Sequence, residues 1–493
     1  MKKTENIGII KTDNYYYPSV PPFRPSKKYP EYRLHELSSE NHVYDMIRNG
    51  FYLMGYDNEN WNTPAWNPLG EFIMPGQTVV IKPNMVMDVN PSGDGTDCLF
   101  THPSLVACVV DYVAIALKNE GKIVIGDAPM QECNFENLIN NSGYNVLLSF
   151  YQSIFPESLK IELIDFRGLH SSVHNGVYHS EEVNTQNGTV VDLGYESEFA
   201  GLGSEFFKNI RITNYDPQIL KSHHDAEKNE YYVSNAVLQA DVIINMPKPK
   251  THRKAGVTIA LKNLVGINAR KEYLPHHTKG DINSGGDEYK NKSYLKEIKD
   301  YLLDKKNYYQ QTKKNYAIAN IIEKNIIMIN ILLKYFSKDQ YFEGSWYGNN
   351  TISRTIVDLN KILMYADKNG NISNVRQRKL LIIADMIVSG EKEGPVIPSA
   401  KNVGIIAIGE NPVVFDEIIA TLMGAKLEYI NTIKHARKPQ GTLNICDEME
   451  KGTIVSNDVL LNGKNIDNLE KKSILYFIPA NGWTVAFKKR NES

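Results

Sequence analysis

Lysines set the chemical problem in this chain. Between Ile244 and Ile267 the sequence runs "INMPKPKTHRKAGVTIALKNLVGI" and places Lys248, Lys250, His252, Arg253 and Lys254 within seven residues. It then turns apolar, except that Lys262 and Asn263 stand between "TIAL" and "LVGI". A lysine in an apolar run either snorkels to solvent or meets a negative group. Two prolines stiffen "KPKTH", which suits holding charged side chains in place. The economical reading makes "KPKTH" and "LKN" two walls of one anion site, with the strand "GVTIAL" placing the second.

Other polar residues follow apolar runs in the same way. Lys82 and Asn84 come after "TVVI", Asp127 and Gln131 after "KIVIG", and Glu391 and Glu393 after "ADMIVSG". Thr101 and His102 precede a helix opened by Pro103 and Ser104, where free backbone N–H groups favour an anion. Lys82, Lys248, Lys250 and Lys262 would hold that anion, each a mobile point charge with several donors. Asn84, Thr101, Gln131 and Asn263 would complete the binding surface. His252 or His102 would be the general acid or base, since imidazole titrates near neutral pH. Asp127, Glu391 and Glu393 would orient them or bind a hard divalent cation such as Mg²⁺. Plainer readings stand beside these: a solvated lysine at a turn, a capping histidine, an aspartate closing an Asx turn. His276 and His277, in a Gly/Asn/Asp-rich loop, read as surface histidines.

These residues need elements to carry them. "ENHVYDMIRNGFYLMG" has helical spacing, with Val43, Met46, Ile47 and Phe51 on one face. "GQTVVIKPNMV" reads as a strand, and "HPSLVACVVDYVAIALKNEGKIVIGD" as a helix, a stop at Gly121 and a further strand. "IELIDFR" and "ADVIINMP" look like two more strands. A strand–helix–strand unit implies a right-handed crossover and a parallel sheet. The expected fold is α/β, mainly a parallel sheet with helices on both faces (Rossmann-like) and a helical insertion. Ligands of such sheets bind beyond the carboxyl ends of the strands, where the polar residues cluster.

The chain divides into an N-terminal arm and helix over residues 1–70, an α/β domain over 71–284, an insertion over 285–350 and a second α/β part over 351–493. The arm is Pro- and Tyr-rich ("YYYPSVPPFRPSKKYP") and reads as extended over a folded body. From Lys290 to Lys314 there are eight lysines against three acids, and the apolar "IANIIEKNIIMINILLKYF" follows. The insertion reads as helices packed on the body, or as a peripheral membrane or oligomer contact through residues 290–336.

Composition excludes several classes. A length of 493 residues, 42% hydrophobic and 23% charged, is globular, and a net charge of −2 offers nucleic acid nothing. The four cysteines form no Cys-x-x-Cys pair, which argues against structural zinc, and their number fits a reducing cytoplasm. No signal-peptide run and no uncharged apolar stretch of spanning length is present, so a cytoplasmic location is expected. Dinucleotide, P-loop, zinc-protease and serine-hydrolase motifs are missing.

The series "VVIKPNMV", "FTHPSLVACVVDYV", "IVIGDAPMQ", "INMPKPKTHRKAGVTIALKNLVGI", "IADMIVSGEKEGP" and "GENPVVFDEIIATLMG" closely resembles the domain of unknown function 362 family. The arm with "WNTPAWNPLG" and the stretch "EGSWYGNNTISRTIVDLNKILMYADKNG" resemble a subgroup often encoded among bacterial surface-polysaccharide genes. The family resemblance implies a fold and a site more than a reaction. The lysines lead to the expectation of an enzyme handling a small anionic metabolite, phosphorylated or carboxylated, and the subgroup likeness implies a role in surface-polysaccharide synthesis. Relatives with ferredoxin modules carry cysteine clusters that this chain lacks, so no iron–sulfur cluster is expected. A weaker likeness is to nickel-pincer lactate racemases, in which a lysine flanked by histidines carries the cofactor. Lys262 resembles that lysine, with His252 ten residues before, His276 fourteen after, and His102 as a further match. Ala260 and Leu261 stand where the racemases have glycines. This likeness implies a racemase or epimerase with a lysine-anchored cofactor. A third expectation is a non-catalytic scaffold or membrane-surface module.

Overall fold

The computed structural model describes residues 4–32, 37–184, 187–337 and 341–490. Its centre is a ten-stranded sheet. The strands are β1 (Thr4–Lys11), β2 (Thr78–Pro83), β3 (Gly121–Asp127), β4 (Leu159–Asp165), β5 (Val242–Met246), β6 (Lys250–His252), β7 (Gly256–Thr258), β8 (Lys379–Glu393), β9 (Ile397–Gly409) and β10 (Lys451–Ser456). Their order is β10–β1–β9–β8–β5–β2–β3–β4, and β6 pairs with both β7 and β8. Neighbours from β8 through β5, β2 and β3 to β4 are parallel. Along that order β9 alone runs against its neighbours, closing a hairpin with β8 and pairing with β1. The fold is therefore α/β around a mainly parallel sheet.

Both faces are covered, which is why the strands are apolar without alternation. Val79, Ile81, Ile123, Ile125, Ile244 and Ile383 point into one core layer. Helices α1 (His42–Leu53) and α2 (Pro103–Leu117) cover that layer. Val80, Val124, Ile243, Ile382 and Ala384 point the other way. Three helices lie on that side: the single turn α3 (Ala260–Asn263), then α6 (Thr351–Tyr365) and α7 (Pro412–Met423). Between them in sequence come α4 (Tyr294–Asn307) and α5 (Tyr316–Phe336), an antiparallel pair formed by the insertion.

Two features differ from the sequence reading. Residues 4–11 are not part of an extended arm. "TENIGIIK" buries Ile7, Ile9 and Ile10 and inserts between β9 and β10. Strands β8, β9 and β10 of the second α/β part complete the sheet begun by β2–β5. The "GVTIAL" segment is a strand only to Thr258, and Lys262 stands on the α3 turn.

Candidate active site

The carboxyl ends of β2, β3 and β5 meet α3. Asn245 at the end of β5 donates to the Ala260 carbonyl at 2.9 Å and accepts from Asn263 Nδ2 at 2.7 Å. The free N–H groups of the α3 turn donate to Asp416 of α7, Ala260 at 2.8 Å and Leu261 at 3.2 Å. Burial holds the Asp416 carboxyl well above its usual range. A single helical turn is thus fixed at both ends, and its side chains are aimed accordingly.

The result is a pocket of about 70 Å³ lined by Asn84, Asp127, Thr258, Lys262, Asn263, Gly266 and Lys271. Lys82 lies behind it, its Nζ 2.8 Å from Asp127 Oδ1 with both side chains buried. Asp127 also accepts from the N–H groups of Met85 at 2.7 Å and Ala128 at 2.9 Å, so its charge is fully engaged. Gly266 passes so close that a Cβ there would lie 1.9 Å from Asp127 Oδ1 and 2.9 Å from Lys82 Nζ.

Three polar atoms of the lining have no partner among the described residues: Asn84 Oδ1, Asn263 Oδ1 and Thr258 Oγ1. Unpaired buried polar atoms are uncommon and costly, which marks a place where a ligand makes the missing bonds. Lys262 Nζ also makes no hydrogen bond among the described residues. Burial, with Lys271 and Lys82 nearby, pushes its ammonium down to about 7. Lys271 reaches the Ala128 carbonyl at 3.2 Å, and burial lowers it to about 8. Sequence reasoning passed over Lys271 because "ARKEY" offers no apolar contrast.

Two imidazoles stand within electrostatic reach of Lys262. His252 Nδ1 accepts from the N–H groups of Lys254 at 3.0 Å and Ala255 at 3.1 Å, which leaves its proton on Nε2. His276 Nδ1 donates to the Leu274 carbonyl at 2.7 Å, which leaves Nε2 as an acceptor. Burial and the neighbouring cations hold both well below the usual histidine range. His252 is therefore a neutral hydrogen-bond donor rather than a group titrating near pH 7, and His276 is partly buried rather than a surface residue.

Other expected site residues lie in a structural cluster beside the pocket. Lys248 Nζ donates to Asp385 Oδ2 at 2.6 Å and Tyr17 Oη at 2.7 Å, with lysine and aspartate wholly buried. His102 caps α2, its ring stacked on Tyr17 with centroids 4.2 Å apart. Thr101 Oγ1 bridges the Asn84 N–H and the Met246 carbonyl. Lys250 Nζ donates to the Leu99 carbonyl, and burial brings it down to about 7. Gln131 is buried with both side-chain amide atoms unpartnered, but it does not line the pocket. These positions carry the same sequence signal as Lys262 because burial demands a partner, and here protein supplies most of the partners.

Glu391 and Glu393 are engaged by backbone N–H groups and a lysine. Glu391 accepts from the Ile478 N–H at 2.9 Å and pairs with Lys401 at 3.3 Å, and Glu393 accepts from the Asn481 N–H at 2.9 Å. Both hold down the C-terminal segment, because β8 outruns the sheet and turns them toward it. Among the described residues no group of three or more His, Cys, Asp or Glu is arranged to hold a metal ion. The pocket also does not suit a large lysine-anchored cofactor. Its 70 Å³ is far below the roughly 300 Å³ at which organic cofactor sites begin. A hollow of about 390 Å³ lies beside Trp66 and α2. Another, of about 940 Å³, lies at the amino ends of the strands, where Lys379 and Asp241 sit.

Residues 79–168 and 172–421 match the model of a family described as a domain of unknown function, DUF362. A curated relative, the thylakoid-associated protein sll1697 of Synechocystis sp. (strain ATCC 27184 / PCC 6803 / Kazusa), is 27% identical over 198 residues. The aligned part is 40% of this chain and 41% of the relative, so the chain spans about two-fifths of that protein's length. No solved structure matches the chain. The matched stretches contain every residue of the pocket, from Asn84 to Pro395, together with the Asp416 that anchors α3. The chain belongs to the DUF362 family.

Proposed function

We propose that the protein is a cytoplasmic enzyme acting on a small anionic metabolite, carboxylated or phosphorylated, in surface-polysaccharide synthesis. One observation carries the enzymatic part: an unbonded Lys262 amine faces the same pocket as three unpartnered polar atoms. Lys262 and Lys271 attract the anion, and Asn84 and Asn263 accept from its hydroxyl groups. The pathway rests on the likeness of the arm and insertion to polysaccharide-cluster proteins. An artificial cavity of about 150 Å³ holds benzene, so 70 Å³ encloses about three non-hydrogen atoms, the size of a carboxylate group. A larger substrate would project from the mouth.

Thermal shift with sugar phosphates, hydroxy acids and oxo acids tests this reading. A ligand at a hundred times its Kd should add about 2.7 kcal/mol of stability. The shift should vanish in Lys262→Met while the unliganded melting temperature holds. Shifts that survive in the mutant would place binding elsewhere. A racemase or epimerase is the nearest alternative, supported by the complementary Nε2 atoms of His252 and His276; exchange of a substrate C–H with deuterated water would reveal it.

A second reading, a membrane-surface module, is favoured by α5. This helix is long and apolar enough to cross a membrane, but it carries Glu323 and Lys324 at its middle. Ala319, Ile326, Ile329 and Leu333 are buried, whereas Ile321, Ile327, Met328, Ile331, Tyr335 and Phe336 are exposed. Exposed Lys305, Lys313, Lys314, Lys324 and Lys334 accompany that ridge. Such a surface suits anionic lipid headgroups.

A further inference from the structure

We propose that Lys262 forms a covalent imine with the carbonyl carbon of a small 2-oxo acid. This deepens the anion-site reading and rests on it.

Six lysines surround the site: Lys82, Lys248, Lys250 and Lys254 are buried, and Lys262 and Lys271 are half-buried. Lys82 is paired with Asp127 and donates to the Pro83 carbonyl. Lys248 is paired with Asp385, and Lys250 donates to the Leu99 carbonyl. Lys254 donates to Thr213 Oγ1 and the Glu343 carbonyl. Lys271 reaches the Ala128 carbonyl. Lys262 alone of the six has no hydrogen-bond partner among the described residues, and its side chain lines the pocket. The other five amines are held by protein acceptors, which leaves the Lys262 amine as the one open to a ligand in the pocket.

Nucleophilic lysines are prepared by desolvation and by neighbouring cations, which disfavour the ammonium form. Lys262 has both in part, since it is half-buried and has Lys82 and Lys271 nearby. Lys271 remains to balance a carboxylate while Lys262 reacts. The size of the pocket fits a carboxylate and leaves the adjacent carbonyl carbon and the rest of the molecule toward the mouth. In the reaction the Lys262 nitrogen attacks that carbon. The two amine protons leave with the carbonyl oxygen as water, and a C=N bond replaces the C=O bond. No oxidant or reductant is consumed.

The test treats the full chain with pyruvate and then borohydride, followed by peptide mass analysis, with thermal shift run in parallel on pyruvate and lactate. The expected product is a single adduct on the Lys262 peptide with the mass of pyruvic acid less one oxygen atom. It should be absent in Lys262→Arg, suppressed by excess lactate, and formed faster as pH rises through about 7, where the amine becomes neutral. Stabilisation by both acids without a Lys262 adduct overturns the imine and leaves the anion site standing. No stabilisation and no adduct overturns both. Labelling spread evenly over surface lysines also overturns the imine.

Discussion

At the residue scale, the proton on Lys262 links ligand binding to pH. Its ammonium is lowered by burial to about 7, whereas an unfolded lysine titrates near about 10.4. Between those values the folded state binds fewer protons, so this group makes stability rise with pH over that window. Lys262→Met should therefore flatten the rise and leave the neutral-pH melting temperature unchanged or higher. An anion reverses the balance by favouring the ammonium. Affinity should be full below about pH 7 and fall as pH rises through it, with proton uptake visible by calorimetry in buffers of different ionisation enthalpy. Gly266→Ala should cost about 3–5 kcal/mol in urea unfolding, because the new methyl would displace Asp127 from Lys82. A loss under 1 kcal/mol would mean that the strand ends adjust freely.

Legibility at this scale followed contrast. Asn84, Asp127, Lys262 and Asn263 were legible because a polar group beside an apolar run has to be explained by something. Lys248, Lys250 and His102 gave the same contrast, yet their partners are Asp385, the Leu99 carbonyl and Tyr17, distant in sequence. Pattern reports that a buried group needs a partner and is silent on which partner answers. Lys271, in a polar setting, gave no contrast at all.

At the element scale, the N-terminal arm takes part in the centre of the molecule. Tyr17 donates to Asp385 at 2.5 Å, receives Lys248 Nζ and the Val388 N–H, and stacks on His102. Tyr17→Phe removes those polar contacts while keeping the ring, and should cost about 1–3 kcal/mol. The companion measurement is limited proteolysis, in which the arm should become cleavable while β2–β5 stay protected. The sequence displayed the arm as prolines and tyrosines, a texture that indicates extended chain and hides what the chain lies against. For α5, the apolar period was legible, but which face would stay outside depended on α4. Sedimentation with vesicles of anionic lipid should pull down the wild type. Pairing should be lost in a variant with Ile327→Glu and Met328→Glu, and weakened by salt. Equal recovery with neutral vesicles would remove the lysines from the account.

At the scale of the whole molecule, the strand ends act together because one sheet carries them. Strand identity was readable from β-branched runs bounded by Gly and Pro, and parallel pairing followed from the helix between β2 and β3. Strand order was not readable, because nothing local in "TENIGIIK" names β9 and β10 as its neighbours. That placement has a consequence for synthesis. Gly8 pairs with Ile408 and Ile7 with Ile454, so β1 leaves the ribosome long before its partners and is among the last of these strands to find its place. Until residues 397–409 emerge, an apolar strand is held with both edges open on the growing chain. Such long-range pairing is slow and exposed to aggregation. The nascent protein should thus depend on holding chaperones far more than its finished sheet, with β1 paired on both edges, would suggest.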